Sequence, residues 1–164
     1  MPIKTVEDLF IHELSDMYSA EKQMTRSLPR MSRAASDPSL AEAFDLHLEE
    51  TQGQVERIDR IVELTGIRLK RIKCVAMEGL IEEAKDTIDE VEKGPVLDAA
   101  LIGSAQKAEH YEIASYTTLV LLAKRLGHAE AAKLLSESLA EEQATDRKLG
   151  TLAAAAKLEQ AVAA

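Results

Sequence analysis

Aromatic residues are scarce in this chain of 164 residues. It has no tryptophan, two phenylalanines and three tyrosines, which together make up 3% of the sequence, whereas apolar residues of all kinds make up 46%. A core must therefore be built mainly from Leu, Ile, Val, Ala and Met. Alanine, leucine, glutamate and lysine are abundant, and this composition favours helices over sheets. The length suits one domain, which we place at residues 1–164.

Cysteine pairs, long apolar runs and net positive charge are also absent. Cys74 is the single cysteine, so no internal disulfide can form and no oxidising compartment is required. No stretch has the 18 apolar residues of a membrane span and no secretory leader is recognisable, so we expect a cytoplasmic protein. The net charge of −9 argues against nucleic acid and anionic membranes as partners and is compatible with cation binding.

Helix signals divide the chain into four long helices and a short one. The apolar spacing and the capping residues predict helices at about 5–35, 38–66, 76–92, 96–126 and from 128 into the alanine-rich tail. Short connections pair the first two long helices and the last two, while residues 67–95 can cross the length of a bundle. The predicted fold is all-α, a ferritin-like four-helix bundle with a long crossover that carries a short extra helix.

Acidic residues interrupt the apolar stripe of the long helices near mid-length. In the third long helix, steps of three and four residues run through Ile102, Ala105, Glu109, Glu112 and Tyr116. The same spacing places one acid in the stripe of each other long helix. Since mid-length positions of an antiparallel bundle lie at one level, the acids should meet. They are Glu21, Glu50, Glu109, Glu112 and Glu142.

Buried carboxylates at one level require a physical explanation. An isolated charged carboxylate in an apolar interior costs more than the net stability of a domain, and several of them repel each other. Protonation or bound cations would remove this cost. A hydrated polar layer that fixes the helix register would explain a single acid. For acids in all four long helices we favour a pair of divalent cations held by oxygen ligands.

Two further groups lie beside these acids. His47 precedes Glu50 by one helical turn, and it either orients a metal ligand through its ring N–H or is a half-buried interface histidine. Tyr18 and Tyr116 each lie about one turn from an acid. Their hydroxyls either donate to a ligand carboxylate or belong to side chains that fill the core.

Several segments resemble the ferritin-like stress proteins of the YciE/YciF type. They are LSDMYSAEKQ (14–23), HLEETQGQVERI (47–58), KCVAMEGLIEEA (73–84), EHYEIASYTTL (109–119) and LAEEQATDRKL (139–149). The family is described as dimeric and as similar to rubrerythrin around a dinuclear metal site. The resemblance therefore implies a homodimer with a rubrerythrin-like carboxylate centre. The tail at 152–164 has a broad small-residue face that could pair two copies.

The resemblance also implies a set of metal ligands. Rubrerythrin-like helices supply Glu, Glu-x-x-His, Glu-x-x-Glu and Glu-x-x-His in turn, and the glutamates are matched here. The two histidine positions hold Gly53 and Thr145, with Gln54 and Asp146 one residue later. Such an oxygen-only site favours Mn²⁺, Mg²⁺ or Fe²⁺. The implied metal ligands are Glu21, Glu50, Gln54, Glu109, Glu112, Glu142 and Asp146.

Three functions follow from these patterns. The first is a stress-response protein with a dinuclear Fe or Mn site and ferroxidase- or peroxidase-type redox activity. The alternative is a non-catalytic dimeric bundle with a structural or vestigial metal site, which the missing histidines favour. A third is an adaptor that presents the amphipathic helix at 76–92 to partners.

Overall fold

Four long helices and one short helix make up the part of the chain described by the computed structural model, residues 2–156 and 158. They are α1 (Val6–Ala34), α2 (Pro38–Thr65), α3 (Val75–Glu90), α4 (Pro95–Arg125) and α5 (Ala129–Ala155). Within this part there is no strand, and the predicted all-α bundle with a crossover helix is confirmed. Residues 157 and 159–164, which include much of the expected dimer face, lie outside the described part.

Local sequence signals set the helix ends. Thr5 and Asp8 form a capping box at the start of α1, in which each side chain accepts a hydrogen bond from the other residue's backbone N–H. Asp37 caps α2 by accepting from the N–H of Ser39. Gly66 ends α2 with a φ of 68°, a left-handed conformation that glycine adopts without steric cost.

The four long helices enclose an aliphatic core. Helix α1 packs on α2 and α4, α5 packs on the same two helices, and α3 lies outside against α1 and α4. The largest fully buried apolar side chains include Phe10, Leu14, Met17, Met24, Leu28, Leu40, Phe44, Ile58, Ile61, Met77 and Leu101. The scarce aromatic residues are thus supplemented by leucine, isoleucine and methionine.

The crossover between α2 and α3 is fixed to α1 by hydrogen bonds. The Ser15 hydroxyl accepts from the N–H of Lys70, and the Ser19 hydroxyl accepts from the N–H of Cys74, each at 2.9 Å. Gln23 Nε2 donates to the Cys74 carbonyl at 3.0 Å. The crossover therefore runs parallel to α1, and α2 and α4 begin at the same end of the bundle. This topology places the middles of all four long helices at one level.

Candidate metal centre

Four glutamates lie in the middle of the bundle without access to solvent. Glu21 comes from α1, Glu109 and Glu112 from α4, and Glu142 from α5, and each has a relative exposure of 0%. The i, i+3 spacing of Glu109 and Glu112 places both on the face of α4 that packs inward. The apolar residues one and two turns away hold these backbones against the neighbouring helices.

An imidazole from α2 joins the acids. His47 is 3% exposed, and its Nε2 lies 2.9 Å from Glu109 Oε1 and 3.9 Å from Glu142 Oε2. His47, Glu109, Glu112 and Glu142 each offer one potential ligand atom, and these four atoms lie within 4.8 Å of one another. Four ionisable side chains from three helices therefore converge on a space that could hold a metal ion.

Glu21 extends this group toward α1. Its carboxylate accepts a hydrogen bond from the hydroxyl of Tyr116, which is itself fully buried. Of the two tyrosines singled out in the sequence, Tyr116 contacts a candidate ligand, whereas the Tyr18 hydroxyl accepts from Lys22 Nζ at 3.4 Å. Tyr116 fixes one oxygen of Glu21, and the other oxygen has no partner.

Most polar atoms of the cluster lack a hydrogen-bond partner. Both carboxylate oxygens of Glu109, Glu112 and Glu142 are buried and unpartnered, and so are both ring nitrogens of His47, whose short contact to Glu109 is poorly aligned for a hydrogen bond. Buried polar groups are normally satisfied, and each one left unpaired costs about 1–3 kcal/mol or more. A cation would satisfy these atoms together, so the residues fit a bound metal.

Burial and mutual repulsion change the acidity of the cluster in the metal-free protein. Burial raises the pKa of Glu21 from 4.5 to about 8, against the opposing effect of the Tyr116 hydrogen bond. Burial and the nearby Glu142 raise the pKa of Glu112 well above its usual value, and burial and Glu109 do the same for Glu142. Burial alone would lower the pKa of His47, but the neighbouring carboxylates raise it. Without metal, the centre therefore retains protons that a cation would displace.

Glu50 does not join the buried group, and the expectation that it would is wrong. Its side chain is 41% exposed, with Oε2 3.7 Å from His47 Nδ1 and 3.2 Å from the Thr145 hydroxyl that donates to it. The neighbouring His47 imidazole lowers the pKa of Glu50. The buried stripe of α2 passes through His47, Thr51 and Gln54 instead. His47 and Gln54 lie on the expected stripe and are buried as expected, whereas Thr51 is buried in place of Glu50.

Two other expected ligands are placed differently. Gln54 is fully buried, its Nε2 donates to Glu141 at 3.1 Å, and its Oε1 has no partner. Asp146 is half-buried, with Oδ1 3.2 Å from Nε2 of the exposed His110. Neither residue belongs to the compact group of four, and the expectation of an oxygen-only centre is wrong because His47 lies within it.

A small cavity reaches the centre from the side. It has a volume of about 130 Å³ and lies between α2 and α5. His47 and Glu50 line it from α2, and Thr145 and Lys148 line it from α5. Since the Glu50 side chain is partly exposed, the cavity connects the His47 side of the cluster to the surface.

The described helices do not include a candidate membrane span. None of those within residues 2–156 has a stretch both long enough and apolar enough to cross a bilayer.

Comparison with known proteins identifies the family. Residues 5–162 match the family described as a domain of unknown function, DUF892. The chain is 62% identical to Protein YciF of Escherichia coli K12 over 154 residues, 93% of each chain. It superposes on the crystal structure of the E. coli stress protein YciF with a TM-score of 0.89, covering 92% of this chain and 95% of that one. It also superposes on YcfI from Rhodopseudomonas palustris, at 44% identity and a TM-score of 0.87, covering 91% and 95%. The predicted resemblance is confirmed, and this chain belongs to the DUF892 family of YciF-type stress proteins.

Proposed function

We propose that this protein binds iron or manganese at a dinuclear centre and uses it in redox chemistry under stress. One observation carries the proposal. Four ionisable side chains from three helices are nearly or fully buried, lie within ligand distance of one another, and have eight carboxylate or ring atoms without a hydrogen-bond partner. Such an arrangement is costly without a cation and favourable with one.

The residues divide naturally into a central group and a flank. Glu109, Glu112 and Glu142 would be the carboxylate ligands, and His47 would supply the nitrogen ligand. Glu21, oriented by Tyr116, would complete the centre on the α1 side. Three or four carboxylates with one imidazole suit Fe²⁺ and Mn²⁺, which accept mixed oxygen and nitrogen ligands.

The bundle provides the environment for such chemistry. Bound iron or manganese would supply one-electron transfer to oxygen or peroxide. The packed helices exclude bulk water from the carboxylates, while the cavity beside His47 and Glu50 admits a molecule of the size of peroxide. Glu50 lies at this entrance with a lowered pKa, so its carboxylate is available to hold an entering cation or accept a proton.

The relatives support a role in stress. The E. coli relative is described as a stress protein, and we extend that role to this chain on the strength of the 62% identity. Nothing in that description names a reaction, so the redox activity rests on the centre alone. We also propose that the protein is a homodimer, as the family resemblance implies.

Metal analysis followed by turnover measurements tests the proposal. Protein purified without chelator or added metal should contain iron or manganese, and with Fe²⁺ it should consume oxygen or peroxide. Glu112→Gln should lower both metal content and turnover. Glu49→Gln, the same change at an exposed position of α2, should change neither. If the protein binds metal but shows no turnover, the redox proposal fails and the metal site is structural. An unchanged metal content in Glu112→Gln would show that binding occurs elsewhere.

A further inference from the structure

A cavity on the outer side of α1 has a strongly basic lining. It has a volume of about 430 Å³ and lies between α1 and the crossover, on the opposite side of α1 from the buried carboxylates. No acidic side chain lines it, although the whole chain has a net charge of −9. The cations that line it are Lys22, Arg26, Lys70, Arg71 and Lys73.

The frame of this basic cavity is fixed by the fold. Ser15 and Ser19, which also line it, hold the crossover backbone at Lys70 and Cys74. Three of the cations therefore project from a short segment whose backbone is already tied to α1. On the helix side, Lys22 Nζ lies 4.9 Å from the centre of the Tyr18 ring, which restrains this ammonium group.

Most of these charges are not neutralised within the protein. Among the described residues, no carboxylate lies within 4.0 Å of the charged groups of Lys22, Arg26, Lys70 or Arg71, while Lys73 pairs with Glu78. The net negative charge of the remaining surface is screened beyond about 10 Å at 0.1 M salt. The basic cavity therefore retains a local positive potential that attracts anions.

The surroundings favour a compact anion over a long one. An adjoining cavity of about 340 Å³ between α1 and α3 shares Arg26 and Lys73, but it is also lined by Glu78 and Glu82. Its two further cations are paired, Arg30 with Asp89 at 2.6 Å and Lys85 with Glu82 at 3.0 Å. A long polyanion that continued in this direction would meet carboxylates, whereas an anion confined to the basic cavity would meet no carboxylate in its lining.

We propose that the basic cavity binds the oligophosphate chain of a small molecule, either a nucleoside triphosphate or a short inorganic oligophosphate such as tripolyphosphate. Guanidinium groups bind phosphate oxygens in a bidentate manner, and ammonium groups add point charges. The volume lies within the range of small-molecule sites. Tyr18 also lines the cavity, where its ring could contact a nucleobase.

Calorimetric titration of chelator-treated protein tests this assignment, since removing metal excludes binding of phosphate to the carboxylate centre. The probes are tripolyphosphate, ATP, adenosine and a single-stranded oligonucleotide. We expect one tripolyphosphate or one ATP per chain and no binding of adenosine. Removing two cations with Arg26→Gln plus Arg71→Gln should weaken binding by about tenfold. The matched control, Lys133→Gln plus Arg147→Gln, removes two exposed cations from α5 and should leave affinity unchanged.

The outcomes are distinct. Tighter binding of ATP than of tripolyphosphate would identify a nucleotide, and equal binding would identify the phosphate chain alone. The assignment fails if tripolyphosphate and ATP show no saturable binding at millimolar concentration, or if both double variants weaken binding equally. It also fails if the oligonucleotide binds more tightly than either small probe, because the surface would then serve a nucleic acid. Circular dichroism of both double variants verifies that they fold.

Discussion

Replacing Glu21 by glutamine should make the metal-free protein more stable at neutral pH. In the folded protein, burial raises the pKa of Glu21 to about 8, against 4.5 for an accessible carboxyl group. A group with a raised folded pKa contributes its full stability below the unfolded pKa and loses it as the pH rises through the folded value. Wild type should therefore lose stability between about pH 4.5 and pH 8. Glutamine is neutral throughout and retains an oxygen that can accept the Tyr116 hydrogen bond.

The size of this effect follows from the shift in pKa. At pH 7 the unfolded carboxyl is ionised while the folded one is still mostly protonated. From the unfolded pKa of 4.5 to pH 7 the loss of stability is about 1.4 kcal/mol per pH unit, which amounts to about 3 kcal/mol. At pH 5 the same difference is about 1 kcal/mol. The free energy of unfolding of Glu21→Gln should therefore rise by about 2 to 3 kcal/mol relative to wild type between pH 5 and pH 7. Glu112 and Glu142 are present in both proteins, so their own pH dependence largely cancels.

Urea unfolding followed by circular dichroism, in the presence of a chelator, measures this difference at each pH. Glu49→Gln provides the control, because this side chain is exposed and its replacement should shift stability equally at pH 5 and pH 7. A difference between Glu21→Gln and wild type that does not change with pH would refute the reasoning, since it would mean that Glu21 is ionised in the folded, metal-free protein. Added Mn²⁺ should reverse the order and stabilise wild type more than the variant.

Three further predictions concern the same centre. Mn²⁺ at a hundredfold excess over its Kd should stabilise wild type by about 2.7 kcal/mol, seen as a rise in melting temperature, and Glu112→Gln should reduce that rise. His47→Gln should weaken Mn²⁺ binding in a calorimetric titration more than Glu50→Gln does, because His47 is buried among the ligands; the reverse order would place the metal at the entrance. Tyr116→Phe should lower the free energy of unfolding of the metal-free protein by about 1–3 kcal/mol. It should also raise the pKa of Glu21 further, so that the pH-dependent loss of stability extends to higher pH. An unchanged pH profile would show that the hydroxyl does not act on Glu21.

The helices were predictable because their ends depend on nearby residues. Thr5 with Asp8, Asp37 with Pro38, and Gly66 each mark a boundary through contacts within a few residues. The crossover could be predicted from the length of its segment alone, because residues 67–95 are too many for a tight turn. None of these inferences needed information about which helices touch.

The central acids were predictable in three helices and not in α2. In α1, α4 and α5, apolar residues in steps of three and four fix the buried face, so Glu21, Glu109 and Glu142 had to point inward. The middle of α2 carries polar residues on several faces, and the stripes through Glu50 and through Thr51 fit almost equally well. Only packing against α5 decides between them. His47 lies on both stripes, and the regular steps from His47 through Thr51 and Gln54 to Ile58 were the signal that could have placed Glu50 outside the buried face.

The division of the centre between two helical hairpins has a kinetic consequence. His47 and Glu21 belong to the hairpin of α1 and α2, whereas Glu109, Glu112 and Glu142 belong to that of α4 and α5. Neither hairpin holds the whole set, so a high-affinity site forms only after the two have docked. A metal ion would bind there only after the folding transition state has been passed. It would therefore slow the separation of the hairpins far more than it would speed their docking. Occupancy would then set the lifetime of the folded protein, and loss of metal would shorten it.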